Sequence, residues 1–189
     1  SNSKPLAGYS SGSVLAVPLK DLIAGKTPYE LIFSPNENQA VNSIATDKDS
    51  LFVNLLDNVR GRIVRWTRQS TGKWKEDLVS LDSNGAASFI DFDDKSHRAL
   101  VSYQDFLTPQ QLLTLDGESL KVKKIMQIPE RFSSKGLQIE QAFATSSDGV
   151  KIPYFLISKA KLEKNGKNPT LLYGYGGFEI SMIPAYMAV

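Results

Sequence analysis

A repeat of about 47 residues constrains the fold more than any other feature of this sequence. The segment that begins at Ala40 (AVNSIATDKDSLFVNLLDNVRGRIVRWTRQSTGKWKEDLVSL) aligns with the segment that begins at Ala86 (AASFIDFDDKSHRALVSYQDFLTPQQLLTLDGESLKVKKIMQI). Each copy alternates runs of β-branched, aromatic and leucine residues with short polar segments, as strands joined by turns do. Four strands in a unit of this length are typical of a β-propeller blade.

The predicted turns contain the residues that chain reversal favours, because Gly and Asn accept positive φ and Pro presets φ for a turn. They fall at 47–49, at Asp57-Asn58 with Gly61, and at 70–72 in the first copy, and at 93–95, 108–109 and 116–117 in the second. A partial copy at 13–33 matches the last two strands of the unit. The sequence therefore predicts a mainly β fold with about two and a half four-stranded blades, and the alternative is an antiparallel sandwich.

A second region follows the repeats. The periodicity stops near Glu130, and residues 132–136 have the composition of a connector. Residues 137–159 alternate, break at Asp148-Gly149 and alternate again, which predicts a β-hairpin. After a lysine-rich stretch, we expect a short buried strand through Leu171-Leu172 that enters a glycine-rich turn. We therefore divide the chain into a partial propeller, residues 3–130, and a second domain, residues 137–189.

Composition excludes several classes of partner. The 22 Lys and Arg exceed the 20 Asp and Glu by two, without a basic run, so we expect no nucleic-acid partner. No segment reaches the roughly 18 apolar residues of a membrane span, and no signal-peptide pattern is present. The absence of cysteine excludes disulfides and fits either the cytoplasm or the periplasm, so the compartment stays open.

The sequence predicts neither a metal nor a cofactor. One histidine and no cysteine cannot assemble the usual nitrogen and sulfur ligand sets. The acidic turns lack the glycine and the terminal glutamate of an EF-hand loop. We expect their carboxylates to be solvated: Asp47, Asp49, Asp91, Asp93 and Asp94.

A catalytic triad for acyl transfer is also not predicted. His97, the one histidine, lies in an acidic turn of the second copy, where a solvated side chain is expected rather than a catalytic base. Residues 8–12 (GYSSG) have the letters of the G-x-S-x-G nucleophile motif, which requires a strand before the serine and a helix after it. A strand pattern follows Ser10 instead, so we predict a turn that opens a blade strand.

The last part of the chain resembles a known family. LLYGYGGFEISMIPAY (171–186) resembles the glycine-rich motif of the prolyl oligopeptidase family of serine peptidases, and SSDGVKIPYFLISK resembles the hairpin that begins that family's catalytic domain. The order of blades, hairpin and glycine turn is similar to that family's passage from its propeller into its α/β-hydrolase domain. The resemblance implies that 137–189 is the truncated, N-terminal part of such a domain. The blades resemble the family in layout more than in letters.

The resemblance also implies site residues. Tyr175 matches the residue whose hydroxyl helps form the oxyanion hole, and Phe178 matches one that lines the pocket for the residue before the scissile bond, which is proline in this family. Residues 176–178 (GGF) favour the proline-specific branch over the branch that cleaves after Arg or Lys. From the residues alone, Tyr175 packed in a core is the alternative.

The family's Ser, Asp and His follow this motif, so the resemblance implies an internal segment that is inactive alone. The longer peptidase would cleave short proline-containing peptides. The alternative function is a non-catalytic propeller domain that binds peptides or partner proteins. Because an incomplete propeller leaves strand edges unpaired, we also expect self-association.

Overall fold

The computed structural model describes residues 8–47, 49–82, 84–178 and 180–187. The first blade is a four-stranded antiparallel sheet with its strands in chain order: β3 (Gln39–Thr46), β4 (Ser50–Asp57), β5 (Arg60–Arg68) and β6 (Trp74–Leu78). The second blade repeats this arrangement with β7 (Ala86–Asp93), β8 (Arg98–Gln104), β9 (Gln111–Asp116) and β10 (Val122–Gln127). The repeat read from the sequence therefore corresponds to two separate sheets, each built from four consecutive strands.

Two smaller antiparallel sheets flank the blades. β1 (Val14–Ala16) pairs with β2 (Glu30–Phe33), which confirms the two strands expected at 13–33. A short helix that the sequence pattern did not predict, α1 (Leu19–Ile23), lies between them. Near the other end, β11 (Leu137–Thr145) pairs with β12 (Lys151–Lys159) along its whole length, so the predicted hairpin is confirmed.

The turn between β4 and β5 differs from the prediction. Asp57 pairs with Arg60, and the two residues between them, Asn58 and Val59, both have positive φ, 48° and 61°. Gly61 is not part of the turn but lies within β5, where its N–H donates to the carbonyl of Gly85 at 2.8 Å. A glycine is needed at this position because the neighbouring blade approaches the main chain closely, and not because the chain reverses there.

The first blade is buried on both faces, which explains the nearly continuous apolar sequence of β4. One face contributes Phe52 and Ile63 to a core shared with the second blade. The other face packs against the β1–β2 pair and forms a second core. The buried residues of this core are Val14 of β1 and, from the blade, Leu51, Val53, Leu55, Val64 and Trp66. Burial of these side chains in two cores, one on each face of the first blade, holds the sheets against one another.

Polar contacts also join the two blades. Asn54 is fully buried, and its side-chain amide donates to the carbonyl of Ala87 at 2.7 Å. The guanidinium of Arg65 donates to the carbonyls of Gly117 and Glu118 at 2.7 and 2.8 Å. Each bond supplies a partner for a main-chain carbonyl at the interface of the blades.

A carboxylate fixes the orientation of that arginine. Arg65 also pairs with Asp77 at 2.9 Å. The hydrogen bond from Lys75 lowers the pKa of Asp77 most, and the one from Arg65 lowers it further. This carboxylate therefore stays ionised beside the guanidinium.

Candidate functional site

The tyrosine–glycine segment, residues 171–178, contains no strand. The side chains of Leu171 and Leu172 are 91% and 93% exposed, so the prediction of a buried strand at these two residues is wrong for this structure. A strand needs a neighbouring strand to pair its N–H and C=O groups, and no strand of the described residues lies beside this segment. The segment is therefore an exposed loop in which apolar side chains face solvent.

Tyr175 lies in this loop between two glycines and is 49% exposed. Its ring and hydroxyl fold back over Gly177, where the hydroxyl oxygen would be 3.4 Å from a Cβ. Nothing lies within 4 Å of the position that a Cβ on Gly174 or Gly176 would occupy. The phenol is presented on an open part of the loop and is not packed in a core.

Phe178 ends the loop in a left-handed backbone conformation, with φ of 57°, and is 90% exposed. A large apolar side chain that is exposed at positive φ is uncommon. Tyr175 and Phe178 are three residues apart, so the loop carries a hydroxyl donor and an apolar ring close together in the sequence.

The chain after the loop is anchored on the second blade. The hydroxyl of Tyr186 accepts a hydrogen bond from the main-chain N–H of Arg131 at 2.9 Å. The main-chain N–H of Tyr186 donates to the side-chain oxygen of Gln104 at 3.2 Å. The ring of Tyr186 stacks on Phe132 with a centroid separation of 4.9 Å. Pro184, two residues earlier, is fully buried.

The hairpin before the loop also contacts the blades. Gln141 on β11 donates its side-chain amide to the carbonyl of Asn58 at 2.6 Å, at the tight turn of the first blade. Phe155 on β12 packs its ring against Phe106 of the second blade, with a centroid separation of 5.1 Å. The tyrosine–glycine segment is thus preceded and followed by segments that are fixed to the blades.

A cavity of about 260 Å³ lies between the first blade, the hairpin and the segment that follows the loop. Polar groups form much of its wall. The contributing parts of the chain are the residues around the start of β3, the turn after β4, strand β12 of the hairpin, and the segment that follows the loop. Its lining residues are Glu37, Asn38, Gln39, Ala40, Leu56, Asn58, Val59, Pro153 and Ser181.

Comparison with known proteins identifies the family. No family model matches the chain. Over 183 residues the chain is 38% identical to the uncharacterized peptidase y4nA of Sinorhizobium fredii, a match that covers 96% of this chain and 25% of that protein. It is 34% identical over 119 residues to the prolyl endopeptidase of Elizabethkingia miricola, a match that covers 63% of this chain and 17% of the relative.

A solved structure agrees with these relatives. The post-proline cleaving enzyme from Rickettsia typhi superposes with a TM-score of 0.72 and 32% identity, over 93% of this chain and 26% of that one. The chain belongs to the prolyl oligopeptidase family. It spans about a quarter of the length of the S. fredii peptidase and of the Rickettsia typhi enzyme. The mainly β fold with propeller-like sheets is confirmed, whereas the described residues do not show the α/β-hydrolase part.

The letters of the nucleophile motif near the N-terminus do not form a nucleophile elbow. Gly8 and Gly12 have positive φ, and the N–H of Ser13 donates to the carbonyl of Ser10 at 3.2 Å. β1 begins at Val14, directly after this turn. The prediction of a turn that opens a blade strand is therefore confirmed, since a strand follows Ser10 where the nucleophile motif requires a helix.

The one histidine of the chain has a structural partner that the sequence analysis missed. His97 Nδ1 lies 2.7 Å from Oδ2 of Asp47, which joins the β7–β8 turn to the β3–β4 turn of the first blade. The side chain of Asp47 is largely buried, so the prediction of a solvated carboxylate is wrong at this position. The two residues are far apart in sequence, and only the packing of the blades brings them together.

The remaining site predictions concern metals and membranes. Within the part of the chain that the structure describes, no group of three His, Asp or Glu side chains could hold a metal ion. In the same residues, no helix has both the length and the apolarity needed to cross a membrane. Gln141, Gln104 and Tyr186 fix the hairpin and the segment after the loop to the blades. They had no sequence signal, because single polar residues show no periodicity.

Proposed function

We propose that this segment links the propeller of a longer serine peptidase to its hydrolase domain and contributes the oxyanion donor to the active site. The relatives are peptidases, and the S. fredii peptidase is about four times as long as the match, since the match covers 25% of it. In this proposal the partial propeller extends over residues 3–130 and the start of the hydrolase domain over residues 137–189. Nucleophile, base and orienting carboxylate belong to the rest of the peptidase.

The placement of Tyr175 carries this proposal. Its phenol is half exposed on a glycine-flanked loop, between a hairpin fixed to the first blade and a segment fixed to the second. A hydroxyl held in this way can donate to a carbonyl oxygen as negative charge develops on it in the transition state. Such a donor lowers the barrier only when it is held in place beforehand.

Phe178 accounts for the substrate preference in the same proposal. Its ring is exposed three residues after Tyr175, and a flat apolar ring is suited to contact the ring of a proline residue. Residues 176 and 177 are glycines, so no side chain separates the phenol from this ring along the loop. The proposed substrates are short peptides that are cleaved after proline, and the blades restrict access to the site.

A comparison of two polypeptides tests the proposal. The 189-residue chain should give no turnover of a chromogenic prolyl peptide, because it lacks a nucleophile with its base. A longer polypeptide that continues into the hydrolase region should turn the peptide over, and a reagent that phosphonylates activated serines should label it at one serine outside this segment. Turnover by the short chain that disappears in Ser10→Ala would contradict the proposal, as would a longer polypeptide that binds the peptide without cleaving it.

Self-association of the isolated chain belongs to the same proposal. β3, β7 and β10 are each hydrogen-bonded on one side only among the described strands. Exposed apolar side chains accompany these free edges: Ile44, Ile90, Ile125 and Met126. Such edges can pair with the edges of another copy. Light scattering should detect dimers or larger species at high concentration, and a strict monomer would contradict this part of the proposal.

A further inference from the structure

The lysine-rich connector between the hairpin and the tyrosine–glycine segment contains an exposed Asn-Gly step, Asn165-Gly166. We propose that Asn165 is a site of spontaneous deamidation, and that the fold protects the chain's other Asn-Gly step, Asn84-Gly85. This modification is independent of the peptidase activity. It changes the charge and the backbone of the connector that leads into the tyrosine–glycine segment.

The chemistry requires the main-chain nitrogen of Gly166 to reach Cγ of Asn165. After losing its proton to the solvent, this nitrogen attacks Cγ, the N–Cγ bond forms, and the Cγ–Nδ2 bond breaks. The side-chain nitrogen takes up a proton and leaves as ammonia. Water then opens the resulting cyclic imide at either carbonyl, which produces aspartate or isoaspartate.

The geometry at Asn165 favours this attack. Gly166 has no side chain, its φ is +76°, and apart from its chain neighbours nothing lies within 4 Å of where a Cβ would be, so no packed group restrains this residue. Oδ1 of Asn165 accepts a hydrogen bond from the N–H of Lys167 at 3.0 Å. This oxygen carries the negative charge of the tetrahedral intermediate, so the same N–H stabilises the transition state as an oxyanion donor does.

The second Asn-Gly step lies in the opposite environment. Gly85 is buried between the blades, where its carbonyl accepts from the N–H of Gly61 at 2.8 Å. The ring of Tyr103 occupies the space that a Cβ on Gly85 would need. To bring its nitrogen to Cγ of Asn84, the main chain at Gly85 has to leave its hydrogen bond to Gly61 and its contact with Tyr103. This opening between the blades costs a large part of the free energy of unfolding.

The connector also contains an internal control. Asn168 precedes Pro169, whose nitrogen carries no hydrogen and cannot form the cyclic imide by this route. Asn168 is further restrained, because its side-chain amide donates to the carbonyl of Glu163 at 2.7 Å. Two asparagines three residues apart in one exposed connector should therefore behave differently.

Deamidation places a new carboxylate beside an existing ion pair. Lys164 lies 3.6 Å from Glu140 on β11, a contact between the connector and the hairpin. The product lowers the formal net charge of +2 by one. An isoaspartyl product also lengthens the main chain by one carbon at a position that precedes the tyrosine–glycine segment.

Peptide mapping by mass spectrometry after incubation of the folded chain in mildly alkaline buffer tests this proposal. We expect conversion at Asn165 at least about tenfold faster than at Asn84, because the fold restrains only the latter. In denaturant the two rates should converge. Comparable conversion at both sites in the folded chain would overturn the proposal. It would also be overturned if conversion at Asn84 were still much slower than at Asn165 in denaturant.

Two variants sharpen the test. Asn165→Gln should remove the product from the connector. Lys167→Ala keeps the main-chain N–H that faces Oδ1 and removes the lysine charge, so the rate at Asn165 should stay the same. A large loss of rate in Lys167→Ala would show that the side chain promotes the reaction, which contradicts the role proposed for the main-chain donor.

Discussion

The N–H of Gly61 donates a hydrogen bond to the carbonyl of Gly85 at 2.8 Å and thereby joins the middle of one blade to the beginning of the next. A Cβ on Gly61 would overlap the main-chain nitrogen of Ala87, which belongs to a rigid strand and cannot move aside as a flexible side chain can. The close approach of the blades therefore depends on a residue without a side chain.

Gly61→Ala should lower the free energy of unfolding by about 2 kcal/mol or more, because overpacking between two sheets forces the backbone to shift. Denaturant unfolding followed by tryptophan fluorescence measures this change, since Trp66 is buried in the first blade. Gly174→Ala is the matched control: it adds the same methyl group where nothing lies within 4 Å, and should stay within about 0.5 kcal/mol of the parent chain. Equal stability of the two variants would contradict the close packing of the blades.

Asn54 is the second contact between the blades that a substitution can test. Its amide donates to the carbonyl of Ala87, and it is fully buried, so Asn54→Asp places a carboxylate against a carbonyl oxygen without water. We expect a loss of about 3 kcal/mol or more near neutral pH.

The effect of Asn54→Asp should depend on pH in a defined direction. Burial raises the pKa of the introduced carboxyl in the folded chain above its unfolded value. The destabilisation is therefore small below the unfolded pKa, where the protonated acid can donate to the carbonyl. It grows as the pH rises above the unfolded pKa and levels off above the folded pKa. Unfolding of variant and parent chain across the acidic range tests this, and a pH-independent difference would contradict it.

Val59 holds a strained backbone conformation at the tight turn of the first blade. Its φ of 61° is left-handed, which costs a β-branched residue about 1–2 kcal/mol. Val59→Asn should raise the free energy of unfolding by about 1 kcal/mol, because asparagine accepts this conformation more readily. Val150→Asn is the control at an exposed position without positive φ, and we expect a change within about 0.5 kcal/mol there. A stability decrease in Val59→Asn would show that side-chain contacts at this position outweigh the strain.

Local patterns in the sequence predict the strands and most of the turns. The break at Asp148-Gly149 lies between β11 and β12, and the alternation on either side corresponds to the paired strands. The two copies of the repeat correspond to two blades. These features depend on residues that are neighbours in the chain, so periodicity and turn chemistry are sufficient to find them.

Features that depend on distant residues escape such patterns. The sequence places Gly61 in a turn, because nothing near it in the chain indicates that Ala87 approaches it. The contact between His97 and Asp47 joins residues from different blades and has no local pattern. Leu171 and Leu172 have the apolar character of a buried strand, yet a strand requires a partner that the described residues do not provide.

The roles of Tyr175 and Phe178 remain predictions. They rest on the family resemblance of the tyrosine–glycine segment and on the exposure of both side chains in its loop. The sequence pattern locates these residues, whereas the reacting groups that would define their roles lie outside this segment in the proposed function.

The kcat of a Tyr175→Phe variant, measured with a chromogenic prolyl peptide in the longer polypeptide that contains this segment, tests the central claim most directly. The substitution removes one hydroxyl, and loss of an oxyanion donor should lower kcat by about a hundredfold or more with little change in KM. Tyr173→Phe removes a hydroxyl from the same exposed loop and should leave kcat unchanged. An unchanged kcat in Tyr175→Phe, or an equal loss in both variants, would contradict the assignment of Tyr175 as the oxyanion donor.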